Sequence, residues 1–462
     1  MAHGDSKRIH FVSLGCPKNR VDTEVMLGVA RGQGYDIVPD ADDAEVIVVN
    51  TCGFIGEAKK ESIETIFELA ELKKTGACTK LVVAGCLAQR YPTELAQQMS
   101  EVDHFLGSSD MLRLGEVLEG GADRVLVGNP ADWIVRASDP RVLSDSRAYA
   151  YVKLAEGCNR SCAFCTIPQF RGKQRSRPAD DVVREAAALA AQGVVELCLI
   201  SQDTVAYGRD LPKGRASLAD LVERVADTKG IAWVRLFYLY PEILDERLVD
   251  LLANHPRVVP YVDMPLQHAA DAMLRRMKRG HGRERQRRVV AHLRERIPGL
   301  SFRTAFIVGH PGETDAEFEE LCAFVEWARF EHVGVFRYSD EETCRSTRLE
   351  GKVPAAVAGR RYRRLMALQR RIAREKNRAL VGTELPVLVE GASEEHELVM
   401  KGRHAGQAPG VDGEVYLSGG EVRPGDLVRV RVTQASDYDL VGDVLEAPRA
   451  RGRRRLGLRV VS

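Results

Sequence analysis

Three cysteines stand close together in this sequence. Cys158, Cys162 and Cys165 form a Cys-x3-Cys-x2-Cys triplet that follows an apolar strand pattern, and no fourth Cys or His follows closely. A structural zinc site is closed by four protein ligands, whereas a [4Fe-4S] cluster held by three cysteines leaves one iron open to a ligand from outside. The triplet therefore favours a cluster with an open iron. Zinc remains the alternative, because soft thiolates bind both.

A second trio of cysteines lies in the N-terminal region, where Cys16, Cys52 and Cys86 each directly follow an apolar strand pattern. In a parallel sheet, the residues just past the carboxyl ends of neighbouring strands meet in one crevice. A lone cysteine is usually a small buried apolar residue, but three in equivalent positions favour a second cluster. The remaining cysteines do not share this position after an apolar strand and are expected to be small buried apolar residues: Cys78, Cys198, Cys322 and Cys344.

The composition is typical of a globular protein with two or three domains: 462 residues, 44% apolar and 29% charged. Ten cysteines without a secretion-signal pattern indicate a reducing compartment, where grouped thiols are more often metal ligands than disulfides. No apolar run approaches the length of a membrane span. With 67 basic and 66 acidic residues, net charge excludes no class of partner. We therefore expect a cytoplasmic metalloprotein without a membrane segment.

Alternating strand and helix patterns must position both trios. In the N-terminal region, strand patterns cover residues 9–14, 46–50, 81–84 and, more weakly, 104–106. Strands that alternate with helices predict an α/β fold with a doubly wound parallel sheet. A second series has strand patterns at residues 149–155, 196–201, 233–239, 258–264, 301–308 and 332–338. Six βα units are too few for a closed eight-stranded barrel, so we expect an open, partial (β/α)6 barrel.

Short strand patterns separated by glycine turns predict a small five-stranded antiparallel β-barrel at the end of the chain. They cover residues 385–390, 414–417, 427–433 and 440–444. The patterns together place an N-terminal domain at residues 7–125, a core at 144–380 and the barrel at 381–447. A linker is expected near residues 128–145, and an Arg-rich tail at 448–462 follows the barrel.

Several motifs carry a resemblance that extends over nearly the whole chain. The run GCNRSCAFCTIP at residues 157–168 is followed by FRGK at 170–173 and RSR at 175–177, with NTCGFI at 50–55 and GHPGET at 309–314. In these motifs the chain resembles the methylthiotransferase family of radical S-adenosylmethionine enzymes. The resemblance implies a radical S-adenosylmethionine core with a partial barrel, and a last, OB-like domain of the kind called TRAM.

The resemblance also implies cofactors and a reaction. Cys158, Cys162 and Cys165 match the ligands of the cluster whose open iron binds S-adenosylmethionine and yields a 5′-deoxyadenosyl radical. Cys16, Cys52 and Cys86 match the ligands of an auxiliary cluster that carries sulfur, so two [4Fe-4S] clusters are implied. The radical removes hydrogen from an unactivated carbon, the carbon takes sulfur, and a second S-adenosylmethionine supplies the methyl group. A flavodoxin- or ferredoxin-like electron donor protein is implied as a partner.

Further cofactor contacts are predicted around the triplet. Phe164 resembles the residue whose backbone contacts adenine in related enzymes. Gln202 and Asp203 follow a strand at the end of the barrel where ligands bind, although Asp203 could instead cap a helix. Gly309 and Glu313 also follow a strand, where the glycine could serve only a tight turn. His268 suits a hydrogen-bonded structural residue better than a catalytic one.

Charge in the last domain distinguishes two branches of the family, which modify either transfer RNA or ribosomal protein S-twelve. Residues 383–446 contain thirteen Asp or Glu and five Lys or Arg, a net charge of −8. A domain that binds RNA is expected to be basic, whereas an acidic barrel suits a basic protein. Motifs at residues 233–236, 240–241, 265–268 and 437–442 also resemble the ribosomal-protein branch. The six arginines of the tail complicate this argument, since they could contact RNA.

We therefore expect an enzyme that methylthiolates the β-carbon of an aspartate in ribosomal protein S-twelve, with that protein or the small ribosomal subunit as its partner. Transfer RNA is the alternative substrate within the same chemistry. A non-catalytic iron–sulfur or zinc regulator that binds ribosomes is the alternative of another class.

Overall fold

Six parallel strands form the N-terminal sheet of the computed structural model, which describes residues 7–144, 148–212, 217–241, 245–394 and 398–445. The strands are β1 Arg8–Ser13, β2 Asp36–Ile37, β3 Val46–Thr51, β4 Lys80–Gly85, β5 His104–Leu106 and β6 Val125–Leu126. The helices are α1 Pro17–Gly32, α2 Gly56–Ala70, α3 Leu72–Thr75, α4 Cys86–Arg90, α5 Pro92–Gln98 and α6 Leu114–Glu119. The strand order is β2-β1-β3-β4-β5-β6.

Apolar cores cover both faces of this sheet, as a parallel sheet requires. Strand β3 is buried along its whole length, so its sequence VIVVNT starts with a continuous apolar run rather than an alternating pattern. The doubly wound parallel sheet expected from the sequence is confirmed. Strands β2 and β6 were not predicted, because two residues are too short to carry a recognisable pattern.

A second sheet of six parallel strands forms the centre of the chain, in the order β14-β13-β12-β11-β10-β7. Its strands are β7 Tyr149–Lys153, β10 Glu196–Ile200, β11 Trp233–Leu236, β12 Val258–Asp263, β13 Ser301–Val308 and β14 His332–Arg337. The helices are α7 Ile167–Phe170, α8 Ala179–Ala191, α9 Leu218–Ala226, α10 Glu246–Asn254, α11 Asp271–Arg276, α12 Arg283–Arg296, α13 Asp315–Ala328 and α14 Ala355–Leu380. The sheet is open, which confirms the partial barrel.

Two short antiparallel strands hold the loop that contains the cysteine triplet. They are β8 Ala155–Glu156 and β9 Arg175–Ser176. The loop between them begins at Gly157, whose φ is +82° and where a Cβ would lie 2.2 Å from the carbonyl oxygen of Lys173. Only glycine allows the two ends of the loop to approach so closely.

Five strands close into a barrel at the end of the described chain: β15 Glu384–Ala392, β16 Met400–His404, β17 Val415–Ser418, β18 Leu427–Ala435 and β19 Leu440–Val444. The predicted small barrel is therefore confirmed, with the refinement that β17 and β19 pair in parallel while the other pairings are antiparallel. Strand β16 had no predicted counterpart, because its sequence MKGRH lacks apolar alternation.

The connection between the first two domains is packed rather than free. Its described part, residues 128–144, forms no helix or strand, yet buried Arg141 reaches Glu24 on α1 at 2.6 Å and Glu185 on α8 at 2.5 Å. The Arg-rich tail at 448–462 lies outside the described residues. Within the described part of the chain, every helix falls short of the length or apolar character needed to cross a membrane.

Candidate functional site

Both cysteine trios line the same cavity, which has a volume of about 460 Å³. It lies where the carboxyl ends of the N-terminal strands face those of the central strands. Sequence positions more than a hundred residues apart meet there, because each parallel sheet directs its strand ends to one edge. The six cysteines predicted as metal ligands are therefore brought together: Cys16, Cys52, Cys86, Cys158, Cys162 and Cys165.

Glycines let the three N-terminal cysteine loops touch. A Cβ on Gly15 would lie 2.9 Å from the Cβ of Cys52, and one on Gly53 would lie 2.8 Å from the carbonyl oxygen of Cys86. Real Cβ atoms do not approach so closely, so these positions require glycine. Cys16 immediately precedes α1 and Cys86 is the first residue of α4, so helix starts fix two of the three thiols.

A buried arginine of the central domain contacts one cysteine of the N-terminal trio. Arg171 donates to the Sγ of Cys86 from Nε at 3.2 Å and from Nη2 at 3.1 Å. Its other contacts are Asn19 Oδ1 at 2.6 Å and the carboxylate of Asp22 at 3.0 Å. A guanidinium pointed at a thiol stabilises the thiolate, which is the form that binds metal.

Two thiols of the N-terminal trio have raised pKa values. Burial raises the pKa of Cys52 to about 12, with a further contribution from the neighbouring Cys86 and Cys16. Burial also raises the pKa of Cys86, which Arg171 opposes. Neighbouring thiolates would repel one another, so a positively charged metal centre favours loss of the protons of Cys52 and Cys86.

Arginine also reaches the central triplet. Arg279 donates from Nη1 to the Sγ of Cys162 at 3.2 Å, and the backbone N–H of Arg160 donates to the Sγ of Cys158 at 3.4 Å. Burial raises the pKa of Cys158 to about 11 and raises that of Cys165 as well. The thiols of each trio are thus buried or half-buried, with N–H donors already directed at one sulfur of the N-terminal trio and two of the central triplet.

The spacing of the thiols bears on the choice between zinc and a cluster. Among the described residues, no three Cys, His, Asp or Glu side chains are arranged to hold one metal ion. A single Zn²⁺ needs every sulfur about 2.3 Å from one point. A four-iron cube offers a separate iron to each thiolate and therefore needs wider spacing. Two trios of soft donors without a fourth protein ligand fit such cubes.

Three of the predicted cofactor contacts line the cavity: Phe164, Gln202 and Asp203. The Oε1 of Gln202 and the Oδ1 of Asp203 are buried without a hydrogen-bond partner, so both can receive a polar ligand. Asp203 precedes a 3-10 turn but makes no capping hydrogen bond. It accepts instead from Arg160 Nε at 2.6 Å, so the helix-cap alternative is wrong.

The other two predicted contacts, Gly309 and Glu313, lie outside the lining of this cavity. Glu313 is fully buried and already accepts from the Gly309 N–H, from Arg361 Nη1 at 2.7 Å and from His268 Nε2 at 3.1 Å. Gly309 has a φ of +78°. The structure gives Gly309 a turn and Glu313 an ion pair, and a cofactor contact for either residue stays a prediction. His268 is a hydrogen-bonded buried residue, as expected.

Sequence reasoning missed several cavity residues. Lys18 lies two positions after Cys16, and its Nζ stands 3.1 Å from the ring centroid of Tyr238. Tyr240 lies between the guanidinium groups of Arg160 and Arg279, at 3.8 and 4.3 Å from its ring centroid. Two of these five residues are within two positions of a cysteine ligand candidate. That proximity was the one signal that could have identified them.

A buried ion-pair network joins the two halves of the site. Lys153 Nζ contacts Asp22 at 2.5 Å and Glu156 at 2.8 Å, and Glu156 accepts from Gln202. Burial alone would raise the pKa of Glu156, but Lys153 and Arg171 more than offset this and lower it to about 2. The network therefore keeps Glu156 charged and links α1, beside the N-terminal trio, to Gln202 on the other side of the cavity.

Comparison with known families agrees with this architecture. The Radical SAM superfamily matches residues 152–325, the TRAM domain matches 381–445, and Uncharacterized protein family UPF0004 matches 8–107. Among solved structures, the radical S-adenosylmethionine methyltransferase TsrM from Kitasatospora setae has a TM-score of 0.52 and 18% identity, covering 72% of this chain and 73% of that one. This likeness is one of fold alone.

Curated relatives match almost the full length. The ribosomal protein uS12 methylthiotransferase RimO of Sorangium cellulosum (strain So ce56) is 71% identical, covering 96% of this chain and 91% of the relative. The protein of the same name from Myxococcus xanthus (strain DK1622) is 52% identical, covering 96% and 92%. By its domains and by this identity, the chain belongs to the ribosomal protein uS12 methylthiotransferase family of radical S-adenosylmethionine enzymes.

Proposed function

We propose that this chain methylthiolates the β-carbon of one aspartate in ribosomal protein S-twelve and uses two [4Fe-4S] clusters to do so. Family membership implies one [4Fe-4S] cluster and S-adenosylmethionine as cofactors. The second cluster and the six ligands are our inference. The observation that supports the second cluster and its ligands is that both trios of cysteines line one cavity.

The chain's residues have distinct tasks in this proposal. Cys158, Cys162 and Cys165 would hold the cluster that, when bound, supplies an electron to S-adenosylmethionine. Cys16, Cys52 and Cys86 would hold the second cluster, which supplies sulfur. Polar groups of the chain would orient the nucleoside, with Gln202 Oε1 and Asp203 Oδ1 free to accept its hydrogen bonds.

Apolar side chains would keep water from the radical. The cavity between the trios is lined by several of them: Phe54, Ile55, Phe164, Phe170, Phe237, Leu239 and Ile307. Exclusion of water prevents a reactive intermediate from being quenched by side reactions. This lining suits chemistry at an unactivated carbon.

The choice of a protein substrate rests on the relatives' names and on the acidic barrel. Part of that negative charge serves docking within the chain, because Asp437 pairs with Arg374 at 2.5 Å and Asp412 pairs with Arg303 at 3.3 Å. Exposed acids remain on the barrel surface, including Glu421 and Asp443. They would attract a basic partner such as a ribosomal protein. We further propose a cytoplasmic location and a flavodoxin- or ferredoxin-like electron donor.

Mass spectrometry of ribosomal protein S-twelve from cells that lack this chain tests the proposal. We expect the methylthio mass increment to be absent and to return with the wild-type gene but not with Cys158→Ala. An unchanged spectrum in the deletion strain would refute the proposed substrate. Nucleoside analysis of the same cells tests the transfer RNA alternative, which predicts loss of 2-methylthioadenosine. Failure of the reconstituted protein to form 5′-deoxyadenosine would instead favour a non-catalytic regulator.

A further inference from the structure

Lys18 is a buried cation in the cavity between the two trios. Its side chain is 7% exposed and lines that cavity. The described residues include no ion-pair or hydrogen-bond partner for its Nζ, which contacts the face of the Tyr238 ring at 3.1 Å. A cation taken out of water is costly unless an anion compensates it, and an aromatic ring compensates only in part. A buried lysine of this kind indicates a place for an anionic ligand.

The other cations that line the cavity have partners. Each contacts a carboxylate or thiol side chain of the protein: Arg160, Arg171, Arg279, Arg303 and Arg337. The four that pair with carboxylates are thereby compensated, whereas Arg279 contacts the Cys162 thiol and the carbonyl oxygen of Pro265. Among the described residues of this lining, Lys18 is the cation whose Nζ has no direct hydrogen bond or ion pair, and Glu156 and Asp263 act on it only at longer range.

The position of Lys18 joins the two halves of the site. It lies in the first turn of α1, two positions after Cys16, and its side chain contacts Tyr238, which follows strand β11 of the central domain. Tyr238 has a φ of +59°, and Gln267, also in the cavity lining, has a φ of +73°. Non-glycine residues rarely adopt such values, and those that do cluster at binding and active sites. The backbone is thus strained where the lysine meets the ring.

We propose that Lys18 binds the β-carboxylate of the target aspartate and so places its β-carbon between the two cysteine trios. This inference rests on the proposed function, which supplies the aspartate. A carboxylate pairs with an ammonium by charge as well as by hydrogen bonding. A ligand held at Lys18 lies beside the N-terminal trio on one side and the central domain on the other. Lys18 therefore binds an aspartate side chain more tightly than the asparagine side chain of the same size.

The test compares two enzymes and two substrates. Wild-type and Lys18→Met proteins, both anaerobically reconstituted, are titrated without reductant with ribosomal protein S-twelve and with its variant in which the target aspartate is asparagine. The wild type should bind the aspartate form about tenfold more tightly than the asparagine form, as expected for a hydrogen bond between charged groups. Lys18→Met should bind both forms with equal affinity. Lys18→Arg should retain part of the preference.

Control variants and spectra distinguish binding of the substrate carboxylate from an effect of Lys18 on a cluster. Lys60→Met, a change of an exposed lysine on α2, should leave the preference intact. The iron content and visible spectrum of Lys18→Met should equal those of the wild type. A Lys18→Met enzyme that still prefers aspartate, or one whose spectrum changes while both forms weaken equally, would overturn the inference and assign Lys18 to the cluster. In a separate assay with reductant and S-adenosylmethionine, a wild-type enzyme that does not methylthiolate the aspartate form would show that the proposed function itself fails.

Discussion

Arg171 of the central domain donates two hydrogen bonds to the Sγ of Cys86, which belongs to the N-terminal domain. The same guanidinium is paired with Asp22 on α1, and all three side chains are buried. One residue therefore joins the two domains and also directs its charge at a candidate metal ligand. The N-terminal trio is in this sense a site built by both domains.

Replacing Arg171 with Met should weaken both domain contact and cluster binding. Asp22 would keep only Lys153 as a partner, and loss of one member of a buried ion pair typically costs about 3 kcal/mol or more. The thiolate of Cys86 would also lose its donors. We expect a lower thermal midpoint and an iron content reduced to about one cluster per chain. Arg175→Met is the control, since Arg175 donates only to backbone carbonyls; an equal loss of iron in both variants would contradict the role of Arg171.

Replacing Gly85 with Ala should displace Cys86. Gly85 has a φ of +99°, and an added Cβ would lie 2.2 Å from Asn50 Oδ1 and 2.7 Å from the carbonyl oxygen of Thr51. Gly120 has a similar φ of +87° but has open space around it. Gly120→Ala should cost only the backbone strain of about 1–2 kcal/mol, whereas Gly85→Ala should also lower iron content. Equal iron content in the two variants would show that the close contact does not position Cys86.

The convergence of the cysteines could be predicted from the sequence because strand ends in a parallel sheet share one edge. The arginine contacts could not, since Arg171 lies 85 residues from Cys86 and no local pattern links them. Asp203 shows the same limit. Its place after a strand suited a helix cap and a ligand contact equally; its pairing with Arg160 excludes the cap, and the ligand contact stays a prediction. For Gly309 and Glu313 the turn motif did not reveal the ion pair with Arg361, and their cofactor contact stays a prediction.

Removing the carboxylate of Glu196 should loosen the attachment of the barrel. Glu196 is fully buried and accepts from Arg235 Nε at 2.7 Å and from Arg403 Nη2 on the barrel at 2.6 Å. Glu196→Ala leaves two buried guanidiniums without their shared anion, which should cost about 3–5 kcal/mol in the free energy of unfolding. Glu223→Ala, which removes an exposed pair with Arg247, should cost less than about 1 kcal/mol. Chemical denaturation measures the free energy of unfolding of both variants. Equal losses would contradict the claim that the buried ion pair stabilises the protein more than the exposed one.

The stability of the central domain should fall in mild acid through His310. Burial lowers the pKa of His310 to about 4, while an unfolded histidine titrates near 6.5. Between pH 6.5 and pH 4, His310 is protonated in the unfolded chain but stays neutral in the folded chain. The free energy of unfolding is therefore highest above pH 6.5 and falls as the pH is lowered. From pH 7 to pH 5 we expect a loss of about 2 kcal/mol at this residue. His310→Gln should lose correspondingly less on urea denaturation, and an identical pH dependence would contradict this account.

Iron and sulfide analysis of the anaerobically reconstituted protein tests the central claim most directly. Two clusters predict about eight irons per chain. Replacing Cys16, Cys52 and Cys86 together with Ala should leave about four, as should replacing Cys158, Cys162 and Cys165, whereas Cys78→Ala should leave about eight. About four irons in the wild type, or no loss in either triple variant, would contradict a site built from two trios of cysteines.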